Sequence, residues 1–479
     1  MERINHGVYG DEKATQMSKP VETTTGIQFI VGAAPIHRLA DPASAVNKLF
    51  LLRSLDEAKS QLGYSEEFDK FDLCQSMYMD FSVRKVAPAI FVNVLNPATH
   101  KTAVEATTCT VSNGQAKLQQ KYMLIDANLI VKNGEDTLER GTDYIVKHDG
   151  DDYLVITLLL DTMPESVSVA GNKLNPDAVT ASDIIGGTDA STGITTGLSL
   201  INKVYPQFNI NANLIICPKW SKNPTVAAAM VAICEEISGV FRAECIIDIP
   251  TDRFTKYSDA DDMKAYMGVK SEHAKLVWPM VKIGSHIMAG SVDEAAIAQY
   301  TDYKNDNIPN VSDSNEPAYI DAAVLEDGTP VLLTLDEANV LTGSAITTFL
   351  KAETWNLWGN YSAAYPENKD PKDFWWNIRR FFSWHDNNFI RNYFKNVDDP
   401  TNPKLRDTII DSENRVLNGY TSNGQCAMAS IVMSDKNTAE SIAAGKMLFD
   451  TVMTPYPPAQ EIRNTTSFNP DALDEALTL

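Results

Sequence analysis

The stretch from Asn213 to Ile249 constrains the fold more than any other part of the chain. Asn213-Leu-Ile-Ile-Cys217 is a short apolar strand. Asn223 is placed to cap a helix that carries Pro224 in its first turn. Val226, Met230, Ile233, Ile237 and Phe241 then fall on one helical face. Cys245-Ile-Ile-Asp-Ile249 is the next strand, stopped by Pro250. Strand, helix and strand within about forty residues form a βαβ unit, whose strands run parallel.

Around this unit the texture alternates between α/β and β. Gly26-Ile-Gln-Phe-Ile-Val31 and Ala89-Ile-Phe-Val-Asn-Val-Leu95 read as strands, and Phe68–Phe81 reads as a helix with Phe71, Met77 or Tyr78, and Phe81 on one side. From 98 to 183 the pattern is all-β. Asn133-Gly134 and His148-Asp-Gly-Asp-Asp152 sit between apolar runs, which is a strong hairpin signal. The α/β texture resumes after Ile184-Ile-Gly-Gly187. A helix is predicted over 372–395 with Phe374, Ile378, Phe381, His385 and Phe389 on one face. Another opens at Asn402-Pro403 with Leu405, Ile409, Val416 and Tyr420 on one side, and Asn437-Thr-Ala-Glu440 resembles a capping box. Residues 1–25 form a polar arm, and the chain ends in extended pieces around Pro455-Tyr-Pro-Pro458 and a short acidic tail.

These readings give an α/β protein, α+β overall. A discontinuous α/β core spans 26–97 and 184–395, with an all-β domain inserted at 98–183. A C-terminal α+β domain spans 396–455, and extended arms lie at 1–25 and 456–479. The 479 residues are enough for roughly three domains of about 100–200 residues each. With 44% hydrophobic residues the chain can bury real cores.

The formal net charge of −22 argues against wrapping nucleic acid or docking on anionic membranes, both of which need surplus Lys and Arg. The longest strongly apolar stretch, Tyr153–Leu160, is too short to span a bilayer. The six cysteines, at 74, 109, 217, 234, 245 and 426, include no C-x-x-C pair. Synthesis and folding in the cytoplasm are the expectation.

No stretch carries a complete chemical signature. Ile185-Gly-Gly-Thr-Asp-Ala-Ser-Thr-Gly193 lacks the Gly-Lys-Ser/Thr ending of a phosphate loop and precedes the βαβ unit instead of linking it. The first βα connection, Pro218-Lys-Trp-Ser-Lys-Asn-Pro224, has no glycine fingerprint. Asp248 ends a parallel strand, where α/β enzymes place carboxylates, but a structural role beside Pro250 is favoured. The 148–152 run does not match a calcium loop. Phe374-Trp-Trp-Asn-Ile-Arg-Arg-Phe-Phe-Ser-Trp384 keeps a helical period, so a core helix is favoured over a single-strand platform. Its Arg379 and Arg380 are candidates for pairing with carboxylates across a subunit contact. No catalytic residue, cofactor-binding residue or metal ligand is assigned.

Several stretches together resemble the contractile tail sheath proteins of bacteriophages and of related phage-tail-like bacteriocins. They are Ile184-Ile-Gly-Gly-Thr-Asp189 with Thr196-Gly-Leu-Ser-Leu200; Leu214-Ile-Ile-Cys-Pro218 with Ile247-Asp-Ile-Pro250; Thr354-Trp-Asn-Leu-Trp-Gly359 with Asn377-Ile-Arg-Arg380; and Asn437 through Gly445 on to Pro457-Pro-Ala-Gln-Glu-Ile462. Their order and spacing carry the likeness over roughly 26–95 and 184–465. One departure is Pro218-Lys219, where many relatives have Pro-Gly.

The resemblance implies a structural subunit. Six copies form a ring, rings stack helically around an inner tube, and contraction from a metastable extended state drives the tube through an envelope without a cofactor. The implied partners are the chain itself, the inner tube protein, and baseplate and tail terminator proteins. Direct nucleic-acid contact and membrane insertion are not expected. The implied location is the virion tail or a phage-tail-like particle, assembled in the bacterial host cytoplasm. Subunit-linking strands are assigned to the arms, with Val8, Tyr9, Val21, Thr23, Ile462, Thr465 and Phe468 as candidates. Arg406, Asp407, Asp411, Glu413 and Asn414, on the helix after Pro403, are the tube-facing candidates. The alternatives are an α/β enzyme with a β-rich accessory domain, which predicts a deep pocket near Cys217 and Asp248, and another self-assembling shell protein.

Overall fold

The computed structural model describes residues 20–477. The βαβ signal develops into an eight-stranded sheet. Six strands run parallel in the order Ala89–Asn93, Gln28–Gly32, Leu214–Ile216, Glu244–Asp248, Ala274–Val277, Ile346–Lys351. Phe50–Leu52 and Trp355–Trp358 add antiparallel edges. The 28–32, 89–93, 244–248 and 274–277 strands are buried along their whole length. Helices cover the faces of such sheets, so their strands read as near-continuous apolar runs. That is why three of them were visible in the sequence; the 274–277 strand, with Lys275 inside its short apolar run, was not predicted.

The helix Pro224–Glu235 is capped as expected, Asn223 accepting from the Thr225 amide at 2.9 Å. It ends before Ile237 and Phe241, because Ser238 and Gly239 take positive φ and turn the chain into a bridge between those two residues. The Phe68–Phe81 prediction becomes the helix Leu73–Tyr78 followed by a π-helical turn, Met79–Arg84, with Phe71, Met77 and Phe81 buried. The 372–395 prediction splits into Pro371–Phe374 and Trp376–Tyr393, Trp375 between them being extended and bridged to Tyr361.

Residues 101–174 form a seven-stranded sheet around a separate small core that includes Leu118, Val131, Leu154, Ile156 and Val169. Its longest strand, Lys101–Ser112, is largely exposed and Thr-rich, and no apolar alternation announced it. The chain returns to the main sheet through a close crossing. A Cβ on Gly186 would lie 2.1 Å from the Thr196 carbonyl oxygen, and one on Gly197 would lie 2.4 Å from that of Ile184. Both residues have positive φ, so only glycine fits there. The glycine-rich stretch is a crossing.

Contacts divide the chain into two compact units, one ending at Val397 and the other beginning at Asp398; the 101–174 sheet belongs to the first. In the second unit, the helix Pro403–Ser422 lies on an antiparallel pair, Cys426–Met433 with Phe449–Pro455. Asn402 caps the helix through the Leu405 amide at 3.0 Å. Leu417, not Val416, faces inward with Ile409 and Tyr420.

Candidate assembly interface

In an open parallel sheet, ligands bind outside the carboxyl ends of the strands where strand order reverses. Here that point lies between Gln28–Gly32 and Leu214–Ile216, and side chains fill it. The buried Asp72 carboxylate accepts from the Ala33 amide at 2.7 Å and from the Trp220 indole at 2.8 Å. A Cβ on Gly32 would lie 1.9 Å from Asp72 Oδ1. Burial pushes the Asp72 carboxyl up to about 7.

One strand further, Asp248 is engaged at both oxygens. Oδ1 accepts from the Ser291 amide at 2.8 Å, and Oδ2 accepts from the Ser221 and Ser291 hydroxyls at 2.7 and 2.6 Å. The cavity beside it, lined by Phe68, Lys219, Lys222, Thr251 and Met280 among others, has a volume of about 170 Å³. Ligand pockets for drug-sized molecules run at about 300–1,000 Å³. The deep pocket that the enzyme alternative predicts is therefore not at this place. Among the described residues no group of three or more His, Cys, Asp or Glu could hold a metal ion, and no helix is long and apolar enough to cross a membrane.

Lys219 has φ +69°, the left-handed conformation that glycine adopts without strain. The loop after the 214–216 strand thus keeps a glycine-like turn despite its lysine, whose ammonium donates to the Asp69 carbonyl at 2.8 Å.

Arg379 and Arg380 do not reach across a subunit contact. Arg380 forks onto Asp302 at 3.2 and 2.5 Å, and Arg379 bonds Asp373 at 3.3 Å, all within one chain and buried. Asp302 belongs to the helix Gly290–Lys304, which is buried on nearly every side. Along the same helix Asp293 pairs with Arg84 at 3.0 Å, and Glu294 pairs at 2.6 Å with Lys275, which also bonds Asp313 at 3.0 Å. Burial opposes the Lys275 charge, but Asp313 and Glu294 outweigh it and hold the ammonium above its ordinary pKa. Burial lifts Asp302 to about 6. Asp80 forms no salt bridge among the described residues; its carboxyl accepts from Gln28 Nε2 at 2.9 Å, and burial lifts it to about 8. Sequence reasoning missed this network because its partners are far apart in the chain.

The remaining candidates lie in the arms and in the second unit. Val8 and Tyr9 lie outside the described residues. Val21–Glu22 pairs in parallel with Val86–Ala87 of the same chain, and Thr23 is buried, accepting from Gln299 Nε2 at 2.8 Å. At the other end, the segment after Tyr456 carries no regular structure until the helix Asp471–Leu477. Ile462 and Phe468 are 87% and 78% exposed, and Thr465 is exposed beside them.

The strand pair of the second unit buries Ala429, Ile431 and Met453 towards the helix, while Met428, Val432 and Val452 are about half exposed on the opposite face. Each strand pairs on one side only within the described chain. On the helix, Asp407 and Asp411 are exposed and Arg406 bonds Asp407 at 2.7 Å. Glu413 is buried, and Asn414 bonds the Ile431 backbone in both directions at 3.1 Å. These two therefore turn towards the strands and not outward, because they sit on the same helical stripe as Ile409, Leu417 and Tyr420.

The fold is mixed α/β, a largely parallel sheet with a separate seven-stranded sheet in the first unit and a small helix-on-strands second unit. Solved structures similar to the chain include a chain of the anti-feeding prophage baseplate, at TM-score 0.60 and 12% identity, with 97% of this chain and 98% of that one covered. The anti-feeding prophage helical sheath in its contracted state matches at TM-score 0.55 and 12% identity over 97% and 99% of the two chains. In sequence, the chain is 23% identical over 300 residues to the tail sheath protein of Escherichia phage P2, covering 60% of this chain and 70% of that protein. No family model matches the chain. In sequence and in fold, the chain resembles contractile tail sheath proteins.

Proposed function

We propose that the chain is a structural subunit of a contractile tail sheath, working through contacts with copies of itself. The observation that carries this reading is the likeness to a helical sheath chain across nearly the whole length of both proteins. Six copies form a ring, and rings stack around an inner tube, which the exposed side of the Pro403–Ser422 helix meets through Arg406, Asp407 and Asp411. Contraction from a metastable extended assembly supplies the work, with baseplate and terminator proteins at the ends of the stack, in a virion or phage-tail-like particle assembled in the host cytoplasm.

The linkage between subunits is strand addition, in which main-chain hydrogen bonds extend an open sheet edge. The 426–433 and 449–455 pair is the acceptor, because among the described residues each of its strands is paired on one side only. The donors are residues 1–20 of one neighbour and the segment around Ile462–Phe468 of another. That segment holds large apolar side chains almost fully in solvent, which a neighbour's sheet would cover. The test is electron microscopy of concentrated protein, which is expected to show rings, tubes or polysheaths. Deleting 1–20 or 456–479 is expected to leave a folded monomer that no longer polymerises. Normal polymerisation of both truncated chains would refute the arm assignment, and a full chain that stays monomeric at high concentration would refute the sheath reading.

A further inference from the structure

The inserted β domain meets the core through a cluster that the sheath reading leaves unused. The tip of the turn between the strands Tyr144–His148 and Tyr153–Leu158 carries Asp152, with φ +65° and its side chain buried. Its carboxylate reaches into the core. Oδ1 accepts from His37 Nε2 at 2.7 Å and from Arg38 Nε at 2.5 Å, and Oδ2 accepts from the Ser65 hydroxyl at 3.2 Å. Beside it Glu67 of the core bonds Lys121 and Tyr122 of the insert. His148 of the insert bonds the Met123 carbonyl through Nε2 at 2.8 Å, and its ring stands edge-on to that of His37, centroids 5.0 Å apart at 88°. Phe71 and Tyr122 complete the wall around His37.

We propose that the insert is docked on the core by this buried latch, and that acid opens it. Two imidazoles in edge contact cannot both become cations while water is excluded from them. His37 donates through Nε2, and its other nitrogen, Nδ1, is buried with no hydrogen-bond partner among the described residues. A second proton on His37 would therefore enter a site that offers it no acceptor. The other charged or titratable groups around the latch are Arg38, Lys59, Tyr64, Glu66, Glu67 and Cys74 from the core, and Lys117, Lys121, Tyr122, Asp149 and Asp151 from the insert.

The sign follows from the docked and undocked states. Burial lowers His37, although Asp152 pulls the other way; burial, reinforced by His37, lowers His148 to about 4 from 6.5. Burial also opposes the Asp152 charge, but the bonds from His37 and Arg38 outweigh it and hold that carboxyl well below the carboxylate range. All three groups bind protons more tightly once the latch is open. Docking is thus fully present above the ordinary histidine value and is lost as pH falls below it. Through His148 alone, the docking constant drops roughly 25-fold between pH 7.5 and 5.

The test is hydrogen exchange of the full chain near pH 7.5 and pH 5, corrected for intrinsic rates. Peptides covering 36–39, 63–68, 121–123 and 149–153 are expected to lose protection by ten-fold or more in acid, while the 244–248 strand does not. The His37→Gln/His148→Gln double variant keeps a donor at each site without titrating, and is expected to remove most of that loss. If the double variant is undocked at neutral pH, His148→Gln alone is expected to reduce the acid loss. Equal protection at both pH values, simultaneous opening of the 244–248 strand, or an undiminished loss in the glutamine variants would overturn the proposal.

Discussion

Replacing Asp80 by Asn is expected to change how the stability of the first unit depends on pH. Asp80 is fully buried and receives a hydrogen bond from Gln28, and among the described residues its other oxygen has no hydrogen-bond partner and no salt bridge reaches it. Its carboxyl is raised from 3.8 to about 8, so the folded chain holds a proton there that the unfolded chain gives up. That contribution is fully present below the unfolded value and is lost as pH rises through the folded one. Between pH 5 and 7 one proton leaves on unfolding, so stability falls by about 1.4 kcal/mol per pH unit, roughly 3 kcal/mol over the interval. Asn is nearly isosteric and cannot ionise, so the variant lacks this slope. Urea unfolding followed by tryptophan fluorescence measures it cleanly, because all seven tryptophans lie between 220 and 384, within the first unit. Taking wild type minus variant at each pH cancels every other titrating group. A difference that stays flat from pH 5 to 7 would show that Asp80 is ionised in the folded chain and that the reasoning is wrong.

Two other substitutions probe different parts of the core. Lys275→Met removes the single ammonium between Glu294 and Asp313 and is expected to cost about 3–5 kcal/mol in the same urea assay. Adding Glu294→Gln to it is expected to recover part of the loss. Gly186→Ala forces a Cβ against the Thr196 backbone, and is expected to lower the melting temperature by more than an alanine at Gly134, which has open space around it.

The sequence was most legible where one rule decided the outcome. The 28–32 and 244–248 strands are buried on both faces, and continuous apolar runs reveal such strands directly. The Asn402 and Asn223 caps and the 148–152 turn were legible because their chemistry is local. Helix ends were less so: Ser238 takes a conformation that its identity does not require, and the prediction ran on to Phe241. The 290–304 helix was opaque for a different reason. Its carboxylates mimic a solvated face, while Arg84, Lys275 and Arg380, which neutralise them, come from distant segments that only the fold brings together. On the Pro403–Ser422 helix, Ile409 and Tyr420 were legible as inward residues, but Leu417 fills the place given to Val416, and Glu413 and Asn414, made tube-facing by the family resemblance, belong to the inward stripe.

The ions along the 290–304 helix also restrict how it can be seated. Its three carboxylates, Asp293, Glu294 and Asp302, meet Arg84, Lys275 and Arg380, and Lys275 and Arg380 lie on opposite sides of the 346–351 strand in chain order. A slip of one turn, about 5.4 Å, would leave several charges stranded in an apolar interior, each at a cost of several kcal/mol. Misthreaded compact states are thereby raised far above the native one, and the helix has a single berth. A core keyed in this way has no neighbouring arrangement to slide into. Large movements in any assembly of this chain would then fall to loops, arms and the joints between copies, while the keyed core travels intact.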